Sequence, residues 1–332
     1  MKQDDKSSRP TCVFCGKDAT VSVLKNIPKH GKTYSVFECA ECRIAITHPF
    51  PSDDELARLY SCGNYRTGKG KRFGLLIESL IHLGRILKRR RIAKHVKLGR
   101  ILDIGCGRGL FLNVMRLGGW SVIGTELNEE TASYATKVYG LEILPGDLVQ
   151  YQLPRESLDA ININHVLEHL KNPREVLMEC RRLLRRGGLL VISVPDFRSL
   201  QFSVGKENWF FLDLPFHLFH FTEEGLKDLL KKNGFSIRRV KRLNREYNPF
   251  GWLQTLLNVS GIRFNLLYDL LKARELRGSE MESIKSSGML ATLILLPIYF
   301  PLALILSFAE PIVRKRSGSI EVYAVKEQSD KV

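Results

Sequence analysis

Ile101-Leu-Asp-Ile-Gly-Cys-Gly-Arg-Gly109 sets the architecture of this chain. An apolar strand runs into glycines at alternate positions, and an apolar stretch from Leu110 follows as a helix. Glycine accepts positive φ and lets backbone approach a ligand closely. The N-terminus of the helix behind it offers unpaired N–H groups. A nicotinamide-type fingerprint needs Gly-x-Gly-x-x-Gly. Leu110 stands where its third glycine would be, so that spacing fails. Asp103, just before the first glycine, would repel a pyrophosphate but suits a cationic ligand.

Outward from this loop, apolar strands alternate with stretches long enough for helices. The strands are Arg100–Ile104, Ser121–Thr125, Glu142–Leu144, Ala160–Asn164 and Gly188–Val194. That alternation predicts an α/β, Rossmann-like parallel sheet covered on both faces. A helix Thr222–Asn233, capped by Thr222 and closed by Gly234, leads to a strand Phe235–Arg242, and Ile320–Lys326 reads as the last strand. Between them lies an insertion, 244–318. Two acids complete the loop's surroundings: Glu126 can take ribose hydroxyls, and Asp147, in Gly146-Asp147-Leu148, can meet an adenine edge.

Upstream, Cys12-x-x-Cys15 and Cys39-x-x-Cys42 are separated by 23 residues. Four thiolates in two equal pairs suit tetrahedral zinc with no open position. So small a module has too little core to fold unaided, which makes the metal structural. Short β-like runs such as Tyr34–Glu38 lie between the pairs. Ser52 and Glu55 form a capping box for a helix Asp53–Tyr60. Residues 61–71 read as a loop around Tyr65, and 73–96 as a helix ending in basic residues. The organisation is thus a zinc-ribbon module at 1–48, a helical linker or lid at 49–98, and an α/β domain at 99–332 carrying the apolar helical insertion 244–318. Residues 1–10 read as disordered.

At this point the segment 100–243 resembles the class I S-adenosylmethionine (SAM)-dependent methyltransferases. The matching residues are Leu102-Asp103-Ile104-Gly105-Cys106-Gly107-Arg108-Gly109, Gly124-Thr125-Glu126, Gly146-Asp147, Val166-Leu167-Glu168-His169-Leu170, Leu184-Arg185-Arg186-Gly187-Gly188 and Gly234-Phe235. The resemblance implies a seven-strand sheet with an antiparallel last strand. It also implies a SAM site built from Asp103, Gly105, Gly107, Gly109, Glu126, Asp147, Leu148 and Asn164. The leader, with Pro49-Phe50-Pro51, Tyr60 and Tyr65 behind its cysteines, is similar to that of bacterial sugar and cell-surface-glycan methyltransferases. In these the leader helps cover the substrate site.

Three histidines are candidates for chemistry. His217 and His220, in Pro215-Phe-His-Leu-Phe-His-Phe-Thr222, follow the fifth strand, and His165 follows the fourth. A neutral imidazole there can take a proton from an acceptor hydroxyl, with His217 foremost. His165, Glu168 and His169 would share one face of a helix and could hold a divalent metal. The ubiquinone-type O-methyltransferases resemble this region but have Glu where His165 stands, which weakens that reading. Trp209, Phe210 and Phe211 suit either an acceptor wall or plain core.

The chain carries 51 Lys and Arg against 35 Asp and Glu, a formal charge of +16, so it expects an anionic partner. No nucleic-acid-reading motif is present, and the clusters Lys88–Arg91, Arg181–Arg182 and Arg314–Arg316 lie beside apolar helices. An anionic membrane surface is therefore the expected partner. Seven cysteines, four of them paired as knuckles, indicate a reducing cytoplasmic setting rather than a disulfide framework. Residues 289–308 carry no charge and are long enough to span a bilayer. A single crossing would put the last strand on the wrong side. The expectation is a re-entrant or interfacial segment broken at Pro297 and Pro301, with 250–309 docking on the membrane. The combined expectation is a methyltransferase acting, most often at oxygen, on a glycan or lipid-linked glycan precursor at the cytoplasmic membrane. The alternatives are a quinone or lipid O-methyltransferase with a divalent metal at His165, Glu168 and His169, or a non-catalytic membrane-bound zinc-ribbon binding module. The oligomeric state stays open.

Overall fold

The computed structural model describes residues 10–19, 21–61, 75–244, 247–272 and 288–327. The expected disorder at 1–9, most of the loop around Tyr65, Cys62 and the part of the insertion at 273–287 lie outside the described residues.

Seven strands form the central sheet. In chain order they are β4 (Arg100–Ile104), β5 (Ser121–Glu126), β6 (Ile143–Pro145), β7 (Leu158–Asn164), β8 (Leu184–Pro195), β10 (Phe235–Lys241) and β11 (Ser319–Lys326). Their spatial order is β10-β11-β8-β7-β4-β5-β6. The last strand, β11, enters antiparallel between β8 and β10, as the resemblance implies. The inner strands are apolar on both sides because both faces are covered. Ile101, Ala160, Leu189 and Val191 pack on one face under α2 (Leu75–Ile92) and α3 (Leu110–Arg116). Leu102, Ile104, Ile161, Ile163, Leu190 and Ile192 pack on the other, with α5 (Pro173–Leu183) and α7 (Glu223–Lys232). Thr222 caps α7, its side chain accepting from the Gly225 N–H.

The N-terminal strands β1 (Val21–Lys29), β2 (Lys32–Glu38) and β3 (Ile44–His48) form an antiparallel sheet with a fourth strand from far along the chain, β9 (Phe219–Phe221). The cysteine-bearing region therefore shares strand pairing, and one continuous core, with the α/β domain. After it comes α1 (Asp53–Ser61). Only half of the expected capping box forms: the Glu55 N–H donates to Ser52 Oγ at 3.2 Å, while the Glu55 carboxylate takes Lys32 and the Tyr34 hydroxyl instead.

The insertion supplies α8 (Asn248–Val259), α9 (Leu266–Lys272) and α10 (Met289–Val313). The expected break in the apolar segment is corrected: α10 is one continuous helix of 25 residues with Pro297, Pro301 and Pro311 inside it. Each proline removes a backbone donor at a cost of about 3 kcal/mol. The helix nonetheless runs unbroken through all three, with Thr292, Ala303, Ser307 and Glu310 buried against the protein. Ala303 joins Trp252, Leu253, Leu257, Ile262 and Leu266 in a separate core, and small Thr292 and Ser307 are also buried. Gly288, at the start of α10, lies beside Ile262 and Leu266. Tyr299 meets Ser260 at 2.7 Å, and the Glu310 carboxylate accepts the Leu200 N–H and the Trp252 indole N–H. Held at both ends and near the middle, α10 lies along the protein. Its outer face (Leu290, Leu293, Ile294, Ile298, Ile305, Ile312) is exposed.

Candidate functional site

The carboxyl ends of the parallel strands meet at one edge of the sheet, where ligands of open α/β sheets bind. Gly105, Gly107 and Gly109 there all have positive φ, between 56° and 72°. At two of them space is also closed. A Cβ on Gly105 would stand 2.5 Å from Val166, and one on Gly109 would stand 2.5 Å from Leu141. Glu126 reaches back across the loop: it accepts the Gly107 N–H at 2.8 Å and the Asn128 N–H at 3.1 Å. Asp103 is buried and accepts from Asn162 Nδ2 at 2.6 Å. Burial pushes its carboxyl up to about 6, against the pull of Asn162 and Lys88. Asp147 sits at the N-cap of a short turn of 3-10 helix that buries Leu148. Asn164 ends β7, its amide donating to the Tyr247 hydroxyl at 3.1 Å. These eight residues thus occupy one edge, with a buried acid behind the loop and a second acid over it. That arrangement fits a ligand carrying both a cation and a ribose.

Next to this cradle, beyond β7, His165 does not lie on a helix, which corrects the expected shared helical face. Its backbone is left-handed (φ 52°), and only the short 3-10 turn Leu167–His169 follows. Its Nε2 meets Ser319 Oγ at 3.2 Å, and its ring lies 4.4 Å from that of Tyr247. Its Nδ1 stands 3.3 Å from Glu168 Oε1. Glu168 is buried to 1% exposure, and neither carboxylate oxygen has a well-formed hydrogen bond among the described residues. Burial alone raises its pKa, but His165, His169 and His217 together bring it down to about 2.

The groups able to share one metal ion are Glu168, His169 and His217, whose ligand atoms lie within 4.8 Å of one another. His165 gives up its place in that set to His217. The His169 and His217 rings are 4.6 Å apart, and His169 Nδ1 meets the Phe216 carbonyl at 3.0 Å. A buried carboxylate beside two imidazoles, paired among the described residues only with His165 at 3.3 Å, fits a divalent cation. His217 Nε2 is 4.0 Å from Asp213. His220 faces the other way, its Nε2 3.0 Å from Thr47 Oγ1 on β3. Burial, then the neighbouring His217, carries its pKa down to about 3, so the ring is neutral.

In the N-terminal module, the Sγ atoms of Cys12, Cys15, Cys39 and Cys42 all lie within 4.8 Å of one another. Three of these residues are buried, and the set fits one tetrahedral ion.

A methyltransferase-domain family model matches residues 77–240. A ubiquinone biosynthesis O-methyltransferase from Cereibacter sphaeroides is 32% identical over 169 residues, covering 47% of this chain and 67% of that protein. The chain belongs to the SAM-dependent methyltransferase family. A Mycolicibacterium smegmatis protein named a probable SAM-dependent methyltransferase is 30% identical over 149 residues, 45% of this chain and 56% of its own length. The matched region spans about half the length of such curated relatives. A Galdieria sulphuraria structure, named as a candidate sarcosine dimethylglycine methyltransferase, shares the fold at 12% identity with a TM-score of 0.50. That likeness covers 83% of this chain and 99% of that one.

Several residues that back or border the site are invisible to motif reading. Lys88 is buried, donating to Asn164 Oδ1 at 3.0 Å and to Ser193 at 3.3 Å, and pairing with Glu321 at 3.2 Å. Arg91 meets the Tyr323 hydroxyl at 3.0 Å and Glu321 at 3.4 Å. The expectation that Lys88–Arg91 faces a membrane is corrected for Lys88 and Arg91 alone, whose charges the buried Glu321 carboxylate on β11 draws onto the sheet, while Arg90 stays exposed. Tyr247 also escapes notice, since it reaches Asn164 and His165 from the insertion. Trp209 is plain core, whereas Phe211 stacks beside His165 with ring centroids 6.1 Å apart.

Proposed function

We propose that this protein moves the methyl group of SAM to a hydroxyl oxygen of a glycan or lipid-linked glycan precursor at the cytoplasmic membrane. The observation that carries the acceptor reading is that the apolar-helix insertion itself walls the site. Tyr247 from its start and Ser319 just after its end both touch His165. An acceptor entering beside His165 therefore meets residues at both ends of the insertion that carries the apolar helix.

The residues divide the work. Glycines 105, 107 and 109 would let the cofactor approach the backbone closely. Glu126 would hold its ribose hydroxyls, Asp147 and Leu148 its adenine, and Asp103 with Asn164 its methionine end. The bound cofactor supplies an electrophilic methyl on a positively charged sulfur. His217 takes the acceptor proton, with Asp213 behind it and His165 bordering the acceptor. Holding the hydroxyl in line with the methyl supplies much of the rate. Cys12, Cys15, Cys39 and Cys42 would hold a structural zinc ion, and the pairing of β3 with β9 would link that module to the segment carrying His217.

Incubating the protein with methyl-labelled SAM and fractionated cell envelope tests this reading. Label is expected in a glycan or glycolipid fraction, whereas label in quinones or in no fraction would overturn it. A second reading, quinone O-methylation with a divalent metal, is favoured by the buried Glu168 carboxylate beside His169 and His217 and by the ubiquinone-biosynthesis relative. It requires turnover that a chelator removes and magnesium or zinc restores.

A further inference from the structure

Two turns meet at the edge of the sheet beyond β8 and β11. One is Pro195-Asp196-Phe197-Arg198, leading into α6 (Leu200–Gly205). The other is Arg314-Lys315-Arg316, leaving α10. Between them lies a cavity of about 230 Å³ lined by Arg198, Leu200, Ser203, Arg314 and Arg316. Two of its guanidinium groups are held in place. Arg316 pairs with Glu224 at 2.7 Å and Asp196 at 3.4 Å, and Arg198 pairs with Glu38 at 2.7 Å. Arg314 is the C-cap of α10, with no ion pair among the described residues.

The neighbours of this cavity give it a direction. Ile312 and Val313, just before Arg314, are 78% and 76% exposed, and they end the apolar outer face of α10. An exposed apolar face that runs directly into clustered arginines matches the bilayer interface, with acyl chains below and phosphates above. Guanidinium groups converging on one space are also suited to phosphate oxygens. A second copy of the chain is a poorer occupant, because the cores of dimer interfaces are depleted in charge.

We propose that this cavity binds the phosphate of a bilayer lipid and seats α10 flat on the membrane. Its position bears on the reaction. Strand β8 lies two strands from β4, about 10 Å at ordinary strand spacing. The Asp196 N–H donates to the Gly318 carbonyl, next to the Ser319 that touches His165. A phosphate here therefore stands on the same edge as the acceptor site. The inference rests on the membrane part of the proposed function and not on the identity of the acceptor.

The test is flotation of the full chain with vesicles of phosphatidylcholine alone or mixed with phosphatidylglycerol. The wild type should float with the anionic vesicles. Arg198→Gln and Arg314→Gln should each lower partitioning about fivefold. The exposed Arg314→Gln serves as the variant that keeps every ion pair described above. Lys137→Gln, on the far side of the sheet, should change little. Ile298→Asp with Ile305→Asp should remove binding altogether. Excess inorganic phosphate at constant ionic strength should leave the wild type bound. Unchanged flotation of the Arg198→Gln, Arg314→Gln double variant would overturn the proposal, as would displacement by free phosphate. So would a wild type that ignores vesicles and forms a dimer broken by Ile298→Asp. SAM binding, measured on the same preparations, should persist in every variant. A wild type that floats but fails to bind SAM would refute methyl transfer while leaving the lipid site standing.

Discussion

Glu126 accepts the backbone N–H of Gly107 at 2.8 Å, so the carboxylate at the end of β5 closes over the glycine loop at the end of β4. It also accepts the Asn128 N–H, which fixes its orientation. Such preorganisation means that little ordering is needed when ribose hydroxyls replace the Gly107 contact. Hydrogen bonds to a charged group contribute about 1.5–3 kcal/mol. Glu126→Gln should therefore weaken SAM binding about tenfold to a hundredfold by calorimetry, and wild-type affinity in that variant would contradict the assignment.

Asp103 gives the cradle a pH signature. Burial raises its carboxyl to about 6. The ionised form is disfavoured in the fold but is the one that attracts a cation. Cofactor affinity should accordingly fall as pH drops through 6, with Kd rising about tenfold between pH 7 and 5. Asp103→Asn should bind weakly at both values and flatten the profile. A wild-type Kd constant over that range would count against Asp103 facing the cationic end.

His217 and His220 should separate cleanly. His217→Ala should lower kcat by about 10² to 10⁴-fold, the range for general-base catalysis, with SAM binding retained. The buried, neutral His220 meets Thr47, so His220→Ala should lower Tm more than it lowers kcat in the protein that remains folded. Equal kcat for wild type and His217→Ala would remove His217 from the chemistry.

The cysteine knuckles should report on the whole domain. Strand β3 pairs with β9, Thr222 Oγ1 donates to the Arg43 carbonyl, and the cysteines share the main hydrophobic core. One zinc per chain is expected by elemental analysis. Cys39→Ser should lose it and lower Tm on the order of 10 °C. Metal content and Tm matching the wild type would dismiss the structural ion.

Local signals carried much of this structure. The strands Arg100–Ile104, Phe235–Lys241 and Ser319–Lys326 and the Thr222 cap follow from apolar runs, glycines and capping chemistry, while the antiparallel setting of the last strand came only from the family resemblance. The cradle residues were legible because the glycine loop and both acids stand directly after apolar strands, and the resemblance joined them into one site. Long-range relationships were not. The three-residue strand Phe219–Phe221 shows too short a pattern to signal pairing with residues 173 to 177 positions earlier. Lys88 and Arg91 read as surface cations until Glu321, on the last strand, supplies their counter-charge. Pro297 and Pro301 read as breaks because packing against α8 is not written in their own segment. His165 reads as helical because nothing local announces its left-handed backbone.

The most direct measurement is transfer of labelled methyl from SAM into envelope fractions by the wild type and Asp103→Asn, side by side. Label entering a glycan or glycolipid pool with the wild type and missing with the variant is the predicted result. A wild type that binds SAM yet labels no hydroxylated acceptor in any fraction would contradict the proposed function.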